Sequence, residues 1–111
     1  MDKLLRTHAD HIVKQAIAAV MPDEAVRKAL TGKVFPGKVV LVAAGKAGWQ
    51  MAKAAYDLLD CQISEGVVIT KYDHVKGPIG NLACYEAGHP VPDENSFHST
   101  QKALDLVSGL T

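Results

Sequence analysis

At 111 residues with 48% hydrophobic side chains, the chain can support one modest core, because a chain of this size removes only roughly 60–70% of its unfolded surface from water. Residues 1–111 therefore read as a single segment, and two independent domains are excluded. Twelve Lys and Arg balance twelve Asp and Glu with no basic stripe among them, so the counterion-release force that draws proteins to nucleic acid is missing.

The apolar stretch Val39 to Gly45 is far short of the ~20 residues of a membrane helix. Charges at Asp2, Lys3, Arg6, Asp10 and Lys14 interrupt the place where a secretory signal needs an apolar block, so a cytoplasmic protein is expected. Cys61 and Cys84 belong to no C-x-x-C pair and no Cys/His cluster, which reads against a disulfide framework and against a zinc site.

The apolar positions Leu4, Leu5, Ile12, Val13, Ala16, Ile17 and Val20 recur at helical spacing and predict a first helix over Asp2 to Val20 with one apolar face. Pro22 stops it and opens a short second helix, Asp23 to Leu30, which ends at Gly32. Lys38 to Ala44 is a β-branched apolar run and predicts a strand covered on both faces. The turn Gly45-Lys-Ala-Gly48 leads into a helix over Trp49 to Leu59, and Gly66 to Thr70 predicts a second strand. Strand, helix and strand make a βαβ unit with parallel strands.

Lys71 to Asn81 is rich in Gly, Pro and Asp and reads as a surface loop before a third strand at Leu82 to Glu86. Pro90 and Pro92 make residues 87–94 a stiff, extended connection. Asp93 then caps a last helix that runs towards Gly109 and carries Phe97, Thr100, Leu104 and Val107 on one face. The expected fold is α/β, with two amino-terminal helices and then a mostly parallel, Rossmann-like sheet with flanking helices.

Open α/β sheets bind ligands outside the carboxyl ends of their strands. Three segments reach that edge here: Gly45 to Gly48, Thr70 to His74 and Gly88 to Asp93. They bring two lysines (Lys46 and Lys71), two histidines and Asp93 together. Gly32 to Lys38 has the G-x-x-x-x-G-K spacing, but Val39 stands where a P-loop needs Ser or Thr, and the segment precedes a strand. Ala43 to Gly48 is a degenerate dinucleotide fingerprint, and Thr70-Lys71 occupies the place of the ribose-binding acid. Lys46, in a tight turn at a helix start, suits a phosphate or carboxylate, its plain alternative being a solvated lysine. The plain alternative for Asp93 is a helix cap.

The blocks Val-Ala-Ala-Gly-Lys-Ala-Gly at 42–48, Gly-Val-Val-Ile-Thr-Lys-Tyr at 66–72 and Ala-Gly-His-Pro-Val-Pro-Asp-Glu at 87–94 resemble the amino-terminal part of the type 2 glycerate kinases. These are also called the MOFRL family, and some members carry the name hydroxypyruvate reductase. The resemblance implies ATP- and magnesium-dependent phosphorylation of D-glycerate to 2-phosphoglycerate between two domains. It places the catalytic lysine on Lys46; Gly45, Gly48, Lys71, His89 and Asp93, on the same strand-end edge, are the candidates for substrate contacts, and no metal ligand is expected in this chain.

The family's Ser/Gly-rich nucleotide loop and essential arginine have no counterpart in these residues. The resemblance therefore implies a fragment of a larger two-domain protein, inactive alone, whose partners are glycerate and the remainder of its own chain. Two other readings stay open: an NAD(P)-dependent hydroxypyruvate reductase using the degenerate glycine turn, and a non-catalytic α/β module that self-associates through an uncovered sheet edge.

Overall fold

The first helix starts where its cap is. Asp2 accepts the Leu4 N–H at 2.8 Å and opens α1, Lys3–Ala19. The computed structural model describes residues 2–110. The remaining elements are α2 (Pro22–Leu30), β1 (Val39–Ala44), α3 (Gly48–Leu59), β2 (Ile63–Lys71), β3 (Ala83–Ala87) and α4 (Glu94–Val107), with one 3-10 turn at Asp60–Gln62. Two helices, a parallel sheet and flanking helices follow in the expected order.

Proline is tolerated at the first position of α2 because that N–H has no intrahelical partner. Asp23 and Glu24 sit in its first turn and Arg27 and Lys28 in its last, which complements the helix dipole. Arg27 pairs with both acids, and α2 lies against α3, where Gln50 Nε2 donates to Asp23 Oδ1 at 3.2 Å.

All three strands are parallel, in the order β1-β2-β3. β2 is the central strand. Its consecutive Val67 and Val68 are both buried, and because successive residues of a strand point to opposite faces, each face of the sheet must be covered. Val68 clusters with Ala52 and Leu59 of α3, while α4 lies over β2 and β3 and gives Lys102 and Leu106 to the surface around Val67. The two helices therefore occupy opposite faces. Gly66 is the residue that permits close packing here, since a Cβ would come within 2.6 Å of Leu82 Cδ2 and 2.7 Å of the Leu41 carbonyl oxygen.

Four findings add to or change the sequence expectations. The first is α1, whose helix forms while its apolar face stays open, with every described residue of it exposed. The radius of gyration, 17.4 Å, exceeds the roughly 13 Å of a compact chain this long. The second is β1, which is covered on one face: Val39, Leu41 and Ala43 meet the core, whereas Val42 is 45% exposed. β1 lies at the sheet edge, so the apolar run that predicted double cover lacks a neighbour.

The third is the segment after β2. It is more than a surface loop, because Ile79, 1% exposed, and Leu82 join the core, and Trp49 Nε1 donates to the Gly77 carbonyl at 3.0 Å. Trp49 thus packs against the core. The fourth is at residues 89–91, which bend where an extended path was expected.

Right-handed crossovers carry β1 through α3 to β2. With α4 on the opposite face, the same rule sends a parallel strand that follows α4 back to the free edge of β1. That edge has a defined polarity. The Gly45 N–H donates to the Ile69 carbonyl at 2.9 Å, and residues two apart share a side, so Ala43 and Leu41 donate towards β2 while Val42 and Ala44 point their N–H groups outward.

Proline should report this directly. Val42→Pro removes an outward N–H, whereas Ala43→Pro leaves a β2 carbonyl without its partner, at a cost of about 1–3 kcal/mol. Thermal unfolding of the 111-residue chain is expected to show a melting temperature lower for Ala43→Pro than for Val42→Pro by on the order of 10 °C. Equal losses would contradict the strand polarity.

Candidate functional site

Parallel pairing puts the carboxyl ends of all three strands at one edge, and the three segments singled out in the sequence emerge there. The turn after β1 is held to β2 by two bonds, the Gly45 N–H to the Ile69 carbonyl at 2.9 Å and the Thr70 hydroxyl to the Lys46 carbonyl at 3.4 Å. The Gly48 N–H closes the turn on the Gly45 carbonyl at 3.0 Å. Gly45 has φ +125°, a conformation side chains with a Cβ rarely adopt. Gly48 is buried, and a Cβ there would lie 3.3 Å from the Ile69 carbonyl oxygen. The turn is thus a rigid platform from which Lys46 is exposed to solvent.

A cavity of about 140 Å³ opens beside this platform. Its lining comes from two stretches of chain, Gly45, Thr70 and Lys71 at the ends of β1 and β2, and Gly88, His89 and Ser96 between β3 and the first turn of α4. The structure therefore brings Gly45, Lys71 and His89 of the expected site together. Gly48 faces a separate apolar cleft lined by Val26, Leu41 and Met51. Lys46 stands on the adjoining turn, outside the cavity lining. His74 lies apart, its Nδ1 3.2 Å from the Tyr72 carbonyl oxygen. Among the described residues neither Lys46 nor Lys71 takes part in an ion pair, so both ammonium groups are available to an anion.

Asp93, named both as a substrate-contact candidate and as a helix cap, takes the capping position. Its carboxylate accepts the Ser96 N–H at 3.1 Å and the Ser96 hydroxyl at 3.3 Å, and the Ser96 hydroxyl oxygen accepts the Asp93 N–H at 3.0 Å. This is a capping box at the start of α4. The other carboxylate oxygen accepts the Tyr72 hydroxyl at 2.5 Å, and the Gly88 N–H also bonds to the group. These donors, the Tyr72 hydroxyl first, hold the Asp93 carboxyl down at about 2. The same bond raises the Tyr72 phenol. Cys84 is pushed up by burial, which makes it a poor nucleophile.

Ser96 could have been found from the sequence, because Asp followed three positions later by Ser is capping-box spacing. Tyr72 had no such signal: its partner lies 21 positions away.

Exposed lysines beside a small cavity are an arrangement that can receive a small anion. Among the described residues no group of three or more His, Cys, Asp or Glu is arranged to hold a metal ion. The cavity, at about 140 Å³, is well below the roughly 300–1,000 Å³ of drug-sized ligand sites.

The Asp93 carboxyl has a pH signature. Because its folded value lies below the ordinary ~3.9, its bonds add stability above that ordinary range, and the contribution is lost as pH falls from about 4 towards 2. Carbon-detected NMR titration is expected to give Asp93 a midpoint near 2, and Tyr72→Phe should move it upward. A wild-type midpoint in the ordinary carboxylate range would contradict the network.

Residues 8–111 match the family described as Domain of unknown function (DUF4147). The chain is 53% identical over 106 residues to a D-glycerate 2-kinase of Thermotoga maritima, an alignment covering 96% of this chain and 25% of that protein. It is 38% identical over 108 residues to a glycerate 2-kinase of Pyrococcus horikoshii, covering 87% of this chain and 24% of the relative. The fold superposes on the crystal structure of the Thermotoga maritima glycerate kinase with a TM-score of 0.90 and 50% identity, over 99% of this chain and 26% of that one. The chain thus spans about a quarter of the length of these relatives. Among the described residues no helix is long and apolar enough to cross a membrane. With a match over almost its whole length and relatives that bear the glycerate kinase name, this chain belongs to the DUF4147 family, as a segment similar to part of a glycerate 2-kinase.

Proposed function

We propose that this chain is the substrate-edge segment of an enzyme that phosphorylates D-glycerate to 2-phosphoglycerate, with ATP as donor and magnesium as metal. The observation that carries this reading is the presence of two uncompensated lysines, Lys46 and Lys71, at a small cavity on the carboxyl edge of a parallel sheet. The names of the relatives supply the substrate.

In this reading the turn Gly45–Gly48 presents the Lys46 ammonium to negative charge on the glycerate carboxylate or on the phosphoryl group in transfer. A phosphoryl transfer relies on positioning and electrostatics more than on covalent help from the protein. Lys71 and His89 contact the acid from the two stretches that line the cavity, and Gly45 lets it approach the backbone. The glycerate hydroxyl oxygen forms the new bond to phosphorus as the bond to ADP breaks. In this reading the nucleotide and metal contacts come from the remainder of the polypeptide. A reaction that uses ATP fits a cytoplasmic enzyme.

The test is a coupled ADP-release assay on the full-length protein with ATP, magnesium and D-glycerate. Glycerate-dependent release above background is expected, and its absence removes the reading. Lys46→Ala should lower kcat/KM by on the order of 10²-fold or more while leaving the melting temperature within a few degrees, because Lys46 is an exposed turn residue. The 111-residue chain alone is expected to show no turnover. An unchanged rate in Lys46→Ala would move the role elsewhere.

A further inference from the structure

Tyr72 does something that neither burial nor helix capping requires. It is 45% exposed and contributes no side chain to the core, yet its hydroxyl is fixed from both directions. It donates to Asp93 Oδ2 at 2.5 Å and accepts from Asn95 Nδ2 at 2.9 Å. A phenol oxygen used as donor and acceptor together has little freedom left.

The place of this bond matters more than its existence. Tyr72 directly follows Lys71, the last residue of β2, and Lys71 belongs to one stretch of the cavity lining. Asp93 precedes α4 and binds Ser96 and Gly88, which belong to the other stretch. The bond therefore ties the two stretches together beyond the last ladder pair, Lys71 with Ala87. The second stretch is wrapped tightly around the carboxylate: a Cβ on Gly88 would meet the Val91 carbonyl oxygen at 2.5 Å and Asp93 Oδ2 at 3.0 Å. His89, next to Gly88, is carried by the same tightly wrapped loop. Asp93 itself has its oxygens occupied by Tyr72, Ser96 and Gly88, so it acts on a ligand through the stretch it holds.

We propose that Tyr72 is a positioning residue for the small-acid pocket, its hydroxyl tying the end of β2 to the Gly88–Ser96 stretch through Asp93 and so setting the separation of Lys71 from His89. The inference rests on the glycerate kinase reading and adds to it the element that fixes the width of the acid site. Tyr72 touches no reacting atom. Its removal should therefore weaken binding of the acid and spare both nucleotide binding and the chemical step.

Tyr72→Phe deletes one oxygen and keeps the ring. In the full-length protein, steady-state kinetics are expected to give a KM for D-glycerate raised about tenfold, with kcat and the KM for ATP within roughly threefold of wild type. Asn95→Ala, which leaves the Asp93 bond in place, should produce a smaller rise. The melting temperature of Tyr72→Phe should stay within a few degrees, because the residue is exposed. In the 111-residue chain, amide hydrogen exchange at Gly88 and Ser96 should be at least several-fold faster in the variant.

An unshifted KM for glycerate overturns the proposal, as does a loss in all kinetic parameters that tracks a lower melting temperature. Unchanged exchange at both amides overturns it as well. If the wild-type protein releases no ADP with D-glycerate, the kinase reading fails and the substrate role of Tyr72 falls with it. A working wild type with an unshifted Tyr72→Phe overturns the positioning role and leaves the kinase reading standing.

Discussion

The parallel pairing of β2 with both of its neighbours is the constraint on which the rest of this structure depends. Parallel strands all end on the same side, so the turns that follow β1, β2 and β3 must meet at one edge whatever else the sequence does. Lys46, Lys71 and His89 are 43 positions apart at their extremes, and the ladder brings their segments to one small region. The ladder continues into the turn itself, because the Gly45 N–H extends it by one more bond to Ile69. A hydrogen bond that belongs to the sheet thereby orients a residue that belongs to the site.

Burial of β2 decides how the ladder is covered. Val67 and Val68 need an apolar layer on each side, and α3 and α4 supply the two layers. That arrangement has a topological result. Helices on opposite faces, joined by right-handed crossovers, leave β1 facing outward with Val42 and Ala44 unpaired on that side. The apolar cleft between α2, β1 and α3, the exposed Val42 and the open face of α1 are apolar surface that the described residues do not cover.

Much of the fold was legible because its signals are local. The acids of the α2 first turn, the β-branched run of β1, the alanines of α3 and the Asp93 cap act over three or four residues, and the elements begin and end within a few positions of where those signals placed them. The misreadings share a different cause. Periodicity shows that a helix or strand has an apolar face, but it does not show whether anything lies against it. α1 and β1 therefore kept their predicted conformations, while the apolar face of α1 stays open and β1 lost one of its two predicted covers. Ile79 was missed for the converse reason, as one apolar residue among glycines and prolines carries no period, yet it lands in the core.

The same division runs through the site. By itself the sequence determined that a glycine-bounded turn carries Lys46 after one strand, that Lys71 ends the next, and that a proline-rich connection brings His89 and Asp93 before a helix. These follow from backbone chemistry, from which residues tolerate a positive φ, lack an N–H or cap a helix. Only the tertiary structure decided which of them share a cavity, that Gly48 faces away from it, and that the Asp93 carboxylate is held by Tyr72. Those facts depend on contacts between residues far apart in the chain, and a contact of that kind has no local period or motif from which it could be read.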